Sequence, residues 1–394
     1  MIGAGIFSAV APAAKAAGNG IFVSLLIAAV VATLNALTMA QLAAVYPEAG
    51  GAYVYGRRLL GGYWGFLAGW GFVVGKAASC TAMALTLAYY VAPDHSRIVA
   101  PLVVLLLTLI NFLGIKKTAA ATKIIVGVVI VTLGLAVFAA WAGGAAEGER
   151  LAGVWWPQAG SWRGVLEGGA IFFFAFAGYA RIATLGGEVI EPAKTIPRAL
   201  LTALVCVLAL YCVVVASVVA SLDMHSLANS RAPLALVFER GRYPALAPLV
   251  RAGAMIASAG VLLSLLAGVS RTIFAMAKER DLPATLAAVH EKRSTPYRAE
   301  LAIGGIVAVV CAFADLRESI GFSSFAVLTY YAVANAAAAR LPKEKRRYPK
   351  ILSWLGFAGC VGLAFHVPPL AVSGGLGLLL AGSVAYFTHR LLKA

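Results

Sequence analysis

The chain has 394 residues, 61% of them hydrophobic and 12% charged, with a mean hydropathy of +0.89. A soluble domain is about half apolar and about a quarter charged, so these fractions exclude a soluble fold and leave no stretch for a water-borne catalytic domain. About 240 apolar residues supply roughly twelve spans of about 20 residues, and the chain reads as an all-α polytopic membrane protein. The net charge of +16 lies in short basic runs between apolar segments, a pattern of topology rather than of polyanion binding, so no nucleic acid is expected.

Residues 1–18 open in MIGAGIF and are too short and too broken by glycine to cross a bilayer, so they read as the second half of a span whose first half is missing. Apolar runs then predict helices at 20–45, 62–91, 97–114, 119–142, 164–187, 197–221, 246–277, 299–314, 318–340, 350–366 and 369–389, about eleven full spans. With 20–45 running inward, 20 Lys and Arg face the cytoplasm, 9 face the opposite side, and Lys76, Arg181 and Arg271 stay within helices. That bias predicts a multi-pass plasma membrane protein with a cytoplasmic C-terminus. The longer outside loops are 147–164 and 223–244, the second partly helical, with Trp155, Trp156 and Trp162 as an interfacial belt. The five cysteines form no CxxC pair and the five histidines no ligand spacing, so neither a metal nor a cofactor is expected.

Two apolar segments are interrupted by glycine: Gly3-Ala4-Gly5 in IGAGIF, and Gly178 with Gly186-Gly187 in FFFAFAGYARIATLGGEV. Unwound backbone survives in hydrocarbon only where it lines a protected cavity and something bonds to it. The two breaks stand about five helices apart, the separation that an inverted five-plus-five repeat requires of its first and sixth members. A half-helix starting near Ile6 aims N–H groups and a positive dipole end at a carboxylate; carbonyls ending the first half of helix 164–187 suit an ammonium. Either break alone is explained about as well by close helix packing, but two in register describe a zwitterion receptor.

Four stretches in order, IGAGIF, then 35–70 (NALTMAQLAAVYPEAGGAYVYGRRLLGGYWGFLAGW), 172–200 (FFFAFAGYARIATLGGEVIEPAKTIPRAL) and 270–300 (SRTIFAMAKERDLPATLAAVHEKRSTPYRAE), resemble the amino acid–polyamine–organocation permeases along essentially the whole chain. The resemblance implies a leucine-transporter-like fold, a 5+5 inverted repeat plus two helices, here lacking the first half of helix 1. On that reading 1–142 is the first repeat, 163–340 the second and 350–390 the accessory pair. It implies secondary active transport of amino acids or related amines by alternating access. Gly3, Ala4, Gly5 and Ile6 would then offer amides to the substrate carboxylate. Phe174, Ala175 and Phe176, beside Gly178, would offer carbonyls to the ammonium, the Phe174 ring would gate the pocket, and Ile2 would supply a further carbonyl. Several proton-coupled relatives carry a lysine in helix 5, where aligning from Gly114 places Val129.

Lys76 lies mid-helix in WGFVVGKAASC, where an unpaired ammonium costs several kcal/mol. It is either a group that exchanges protons at working pH, coupling H+ to transport or touching substrate, or one half of a structural pair with Glu188. Arg181, after the second break, either meets an acidic substrate group or tethers helix 6. Glu188 and Glu191 either close an inner gate against Arg57 or Arg58, or are solvated interfacial charge. Ser264 and Ser270 stand where sodium-coupled relatives place sodium ligands. The leading expectation is a proton-coupled symporter in the lipid bilayer; an amino acid/amine exchanger and a truncated, non-transporting membrane protein are the alternatives. An enzyme would need convergent catalytic groups at membrane depth, and the spacing offers none.

Overall fold

The computed structural model describes residues 3–47, 50–113, 119–144, 146–157, 160–179, 191–290 and 295–391. These residues are helical throughout their regular elements. Helix α1 (Gly5–Ala17) turns through Gly18, whose φ of 52° suits glycine, into α2 (Ile21–Val45). Next come α3 (Ala52–Leu59), α4 (Gly62–Val91), α5 (Ser96–Phe112) and α6 (Ala119–Ala142). The second half holds α7 (Gly148–Ala152), α8 (Trp162–Phe176), α9 (Pro192–Ser221), α10 (Met224–Asn229), α11 (Pro233–Arg240), α12 (Ala247–Lys278), α13 (Tyr297–Phe313) and α14 (Leu316–Ala339). Helices α15 (Lys350–Ala364) and α16 (Pro369–Leu391) complete the chain.

Among the described residues, eight helical stretches are long and apolar enough to cross a membrane. The expected helices at 164–187, 299–314 and 350–366 appear as α8, α13 and α15, of 15, 17 and 15 residues. At 1.5 Å per residue these are about 22 to 26 Å long, short of a hydrocarbon core of about 30 Å. Helix α8 departs most from the expected element: it stops at Phe176 and passes into a tight turn, Ala177–Tyr179, two residues ahead of Gly178. Residues 52–59, between the expected helices 20–45 and 62–91, form α3. Its contact with α4 is backbone on backbone, because a Cβ on Gly56 would lie 3.2 Å from Gly65 Cα, and one on Gly65 would lie 2.9 Å from Arg57 Cα.

Burial separates frame from periphery. The apolar windows of α4 and α14 are each 83% buried, whereas those of α5 and α16 are 28% and 22% buried and expose leucines such as Leu102, Leu105 and Leu380. A helix apolar on every face, as α4 and α14 are, belongs at the centre of a bundle; one that bares leucine outward belongs against lipid. The central pair is locked by small and hydroxyl groups. Ser79 Oγ lies 2.6 Å from Ser323 Oγ, and a Cβ on Gly75 would lie 2.9 Å from that of Ala326.

The packing has an internal symmetry. Helix α1 packs on α8, α2 on α9, α4 on α12 and α5 on α13, so these four helices of the first half touch their counterparts in the second. Exchanging counterparts, with α6 matched to α14, turns other observed contacts into one another: α4·α5 into α12·α13, α5·α12 into α13·α4, α6·α12 into α14·α4, and α6·α9 into α14·α2. One buried polar cluster ties α15 to α2 and α14. Thr38 Oγ1 donates to Asn335 Oδ1 at 2.7 Å, and Asn335 Nδ2 donates to Asn35 Oδ1 at 2.6 Å beside Cys360.

Close approach also defines the α5·α13 contact, where a Cβ on Gly304 would lie 2.3 Å from Thr108 Oγ1 and 2.4 Å from its Cγ2. Thr108 cannot swing away without giving up its 2.7 Å bond to Val104 O. Gly304→Val is therefore expected to cost about 1–3 kcal/mol through overpacking, read as a lower unfolding midpoint of the detergent-solubilised protein. An unchanged midpoint would show that the two helices are not held at this spacing.

Candidate functional site

The start of α1 and the end of α8 meet inside the bundle. Helix α1 begins at Gly5 with Ala4 before it in the right-handed helical region, and no side chain caps it. Phe7 N–H bonds back to Ala4 O at 3.0 Å, and the N–H groups ahead of it have no partner further back in the helix. Ser8 Oγ turns back onto Ala4 O and Gly5 O at 3.3 and 3.0 Å, leaving that first turn as bare backbone. Gly3, Ala4 and Ile6 are buried around it.

Ala175 of α8 lies directly against Gly5: a Cβ there would fall 2.7 Å from Ala175 Cα and 3.1 Å from Ala175 Cβ. The structure thus brings together the two segments that the sequence singles out. Of the expected site residues, Phe174 is half-buried, Ala175 and Phe176 are buried, and Gly178 is exposed in the turn after α8. Ile2, Arg181 and Glu188 lie outside the described residues.

The carbonyl end of α8 is met by side chains from two other helices. Tyr211 of α9, fully buried, donates from its hydroxyl to Ala175 O at 3.3 Å and packs its ring 5.3 Å from that of Phe176. Lys76 of α4, 7% exposed, points its ammonium at Ala177 O, 3.5 Å away. Phe174 O and Phe173 O accept from the Ala177 N–H that closes the helix. In this conformation the end of the broken helix therefore carries the protein's own donors, one of them cationic. A helix C-terminus bears partial negative charge, which is where an ammonium is best placed in a dry interior.

On the face where α2 ends and α4 begins, Arg57 of α3 reaches Asp281, just past α12. The Nη1–Oδ2 distance is 2.7 Å, and Tyr53 donates its hydroxyl to the same oxygen at 2.8 Å. Glu279 adds a second, looser contact at 3.8 Å. Burial, and then the bond to Asp281 and its charge, push the Tyr53 phenol upward, so it stays a donor. The expected partner of Arg57 was Glu188 or Glu191. Glu191 instead pairs with Lys194 at 3.4 Å, both exposed, which makes it solvated interfacial charge, and Arg58 lies over the Tyr46 ring at 5.5 Å. On the opposite face Glu167 of α8 and Arg317 of α14 form an ion pair.

Tyr211, Tyr53 and Asp281 were not singled out in the sequence. Asp281 carried a signal, an acid directly beyond a long span in AKERDLP, whereas Tyr211 had none, since a tyrosine in an apolar run reads as packing. Val129 is fully buried in α6. Ser270, a candidate sodium ligand, donates its hydroxyl to Ala267 O at 3.1 Å. Among the described residues no group of three His, Cys, Asp or Glu is placed to hold a metal.

Because α1 and α8 touch through Gly5, a single methyl there must push them apart at a backbone contact. Gly5→Ala is expected to lower uptake into proteoliposomes at least about tenfold, equal to about 1.4 kcal/mol, with a monodisperse size-exclusion profile. Uptake at the wild-type rate would mean that the Gly5–Ala175 approach plays no part in function.

The family model for amino acid permeases matches residues 1–389. An uncharacterized transporter of Mycobacterium tuberculosis is 51% identical over 397 residues, covering 100% of this chain and 88% of that protein. The branched-chain amino acid permease BcaP of Bacillus subtilis is 25% identical over 424 residues, covering 99% of this chain and 90% of its own. The chloroplastic cationic amino acid transporter 7 of Arabidopsis thaliana is 27% identical over 370 residues, covering 86% and 63%. With uncapped and carbonyl helix ends face to face in an apolar bundle, and a match along nearly its whole length, the chain belongs to the amino acid permease family and is a multi-pass membrane transporter.

Proposed function

We propose that the protein carries a zwitterionic amino acid across the plasma membrane by alternating access, driven by proton symport. The observation that carries this reading is the meeting of α1 and α8 at Gly5 and Ala175 with Lys76 beside Ala177 O. The substrate carboxylate takes the amides of Gly3, Ala4, Gly5 and Ile6, and its ammonium takes the carbonyls of Phe174, Ala175 and Phe176, with Ile2 adding another. Tyr211 holds Ala175 O, and Lys76 the neighbouring Ala177 O, while the site is empty, and both give way as substrate enters. A bare amine would meet the Lys76 ammonium with no carboxylate to offset it, so a zwitterion suits the site better. The matched packing of α1–α6 and α8–α14 supports two repeats, at 1–142 and 163–340, with 350–390 as an accessory pair. The basic loops set the C-terminus in the cytoplasm.

Lys76 is the proposed proton carrier. Buried in α4, it must keep a partner while charged. When it loses its proton, its bond to Ala177 O weakens and the end of α8 is freed. One observation favours a second reading, amino acid exchange. Val129, wholly apolar and buried, stands where proton-coupled relatives place lysine.

Proteoliposomes loaded with a labelled amino acid mixture outside, with and without an inward proton gradient, separate the two. Symport predicts accumulation raised by the gradient, and Lys76→Met is expected to abolish that rise while leaving counterflow. A Lys76→Met variant that still responds to the gradient removes Lys76 from the mechanism. Uptake that requires preloaded unlabelled amino acid makes the protein an exchanger.

A further inference from the structure

The packing symmetry maps the α2–α4 connection onto the α9–α12 connection, and the far end of α12 onto the far end of α4. Each of these two places holds an arginine–aspartate pair. Asp281 stands three residues past Lys278, the last residue of α12, and is bound by Arg57 from the α2–α4 connection. Asp94 stands three residues past Val91, the last residue of α4, and is paired at 3.7 Å with Arg231 from the α9–α12 connection. Arg231 also donates to Pro93 O at 3.0 Å. In both pairs the guanidinium lies over a tyrosine ring, Tyr53 at 5.8 Å and Tyr89 at 5.6 Å. Because α4 and α12 each cross the bundle once, the two pairs stand on opposite faces.

We infer that Arg57–Asp281 and Arg231–Asp94 are the two latches of one device, each pinning the connection of one repeat to the scaffold helix of the other. Arg57, Asp281, Arg231 and Asp94 are thus positioning residues for the transport step. The inference rests on the two-repeat transport reading above.

The latches are unequal. The side chain of Asp281 is 7% exposed and accepts from both Arg57 and Tyr53, whereas that of Asp94 is 90% exposed. An ion pair sheltered from water and hydrogen-bonded on both partners leaves a buried, unmatched charge when it breaks; one in water loses little. The Arg57–Asp281 latch is therefore the main barrier, and the Arg231–Asp94 face opens first.

The test uses the full chain in nanodiscs, with its five cysteines replaced and spin labels at Arg58→Cys and Lys278→Cys across one latch, or His95→Cys and Asn229→Cys across the other. Asp281→Asn is expected to raise the long-distance population across its own latch at least about tenfold; Asp94→Asn should change its own by no more than about fivefold. The charge swap Arg57→Asp with Asp281→Arg should restore the short distance, and Asp281→Glu should largely keep it. Unchanged distances in Asp281→Asn, a swap that folds by size exclusion without restoring the short distance, or a larger response at Asp94 overturns the inference. These distances need no substrate, so absent uptake with responsive latches counts against the transport reading alone, and active uptake with unresponsive latches against the latches alone.

Discussion

Everything about this molecule's centre depends on the requirement that backbone polar groups in an apolar medium be satisfied. An intact helix meets it internally; a helix that starts or stops at membrane depth does not. Helix α1 starts without a capping side chain and α8 stops at Phe176, so both ends need partners. Gly5 lets the two backbones come into contact at Ala175, and Tyr211 and Lys76 arrive from α9 and α4 to bond the carbonyls at the end of α8. The close approach at Gly5 and the buried Lys76 at Ala177 O both answer that one constraint. An amino acid, with an acceptor group and a donor group of its own, is a ligand that can replace such partners in kind.

Those ends stay in register because the helices around them are held apart by fixed, small spacings. Without a hydrophobic drive between helices in lipid, association comes from van der Waals contact and interhelical hydrogen bonds. The α4·α14 contact has both, through Gly75 against Ala326 and Ser79 against Ser323, and it is the most enclosed part of the bundle. Lys76 follows Gly75 directly. The packing that brings α4 close to α14 therefore also fixes where the lysine stem leaves the helix, so the position of its ammonium at Ala177 O is set by the frame rather than by a loop.

Much of this architecture was legible in the residues, and what was not has identifiable causes. Apolar runs bounded by Gly, Pro and charge placed α4 and α6 at their observed limits, because lipid and core impose the same preference all along such helices. The glycines of IGAGIF and FFFAFAGYAR lie at the start of α1 and near the end of α8, although α8 ends two residues before Gly178, since hydropathy does not report where in an apolar run a helix stops. Helix α3 was hidden because AYVYGRRL is polar and short, and its helix exists through contact with α4, a tertiary effect. The partner of Arg57 was sought among Glu188 and Glu191; it came from Asp281, whose proximity depends on how α12 packs against α4. Tyr211 shows the same limit: one hydroxyl in an apolar run becomes informative only when its acceptor is known.

The ion pairs of the molecule show why position outweighs number. Arg240–Asp223 and Arg251–Glu239 pair at 3.2 and 2.6 Å in and beside the α9–α12 connection, but all four side chains are substantially exposed. Asp223 also caps α10 by accepting from the Ser226 N–H, and its bonds to Ser226, helped by Arg240, draw its carboxyl down to about 2. A depressed acid of this kind stabilises the fold above its unfolded value near 4 and loses that contribution only as the pH falls toward 2, outside any working range. Such pairs hold loops in shape at nearly constant strength. Arg57–Asp281 differs because water is largely kept from its acid and because Tyr53, an uncharged donor, shares the same oxygen. Opening it exposes one charge and strands the other at once, so its resistance is steep where that of the exposed pairs is shallow. On the transport reading proposed above, that contrast in resistance is what lets one face stay closed while the other opens.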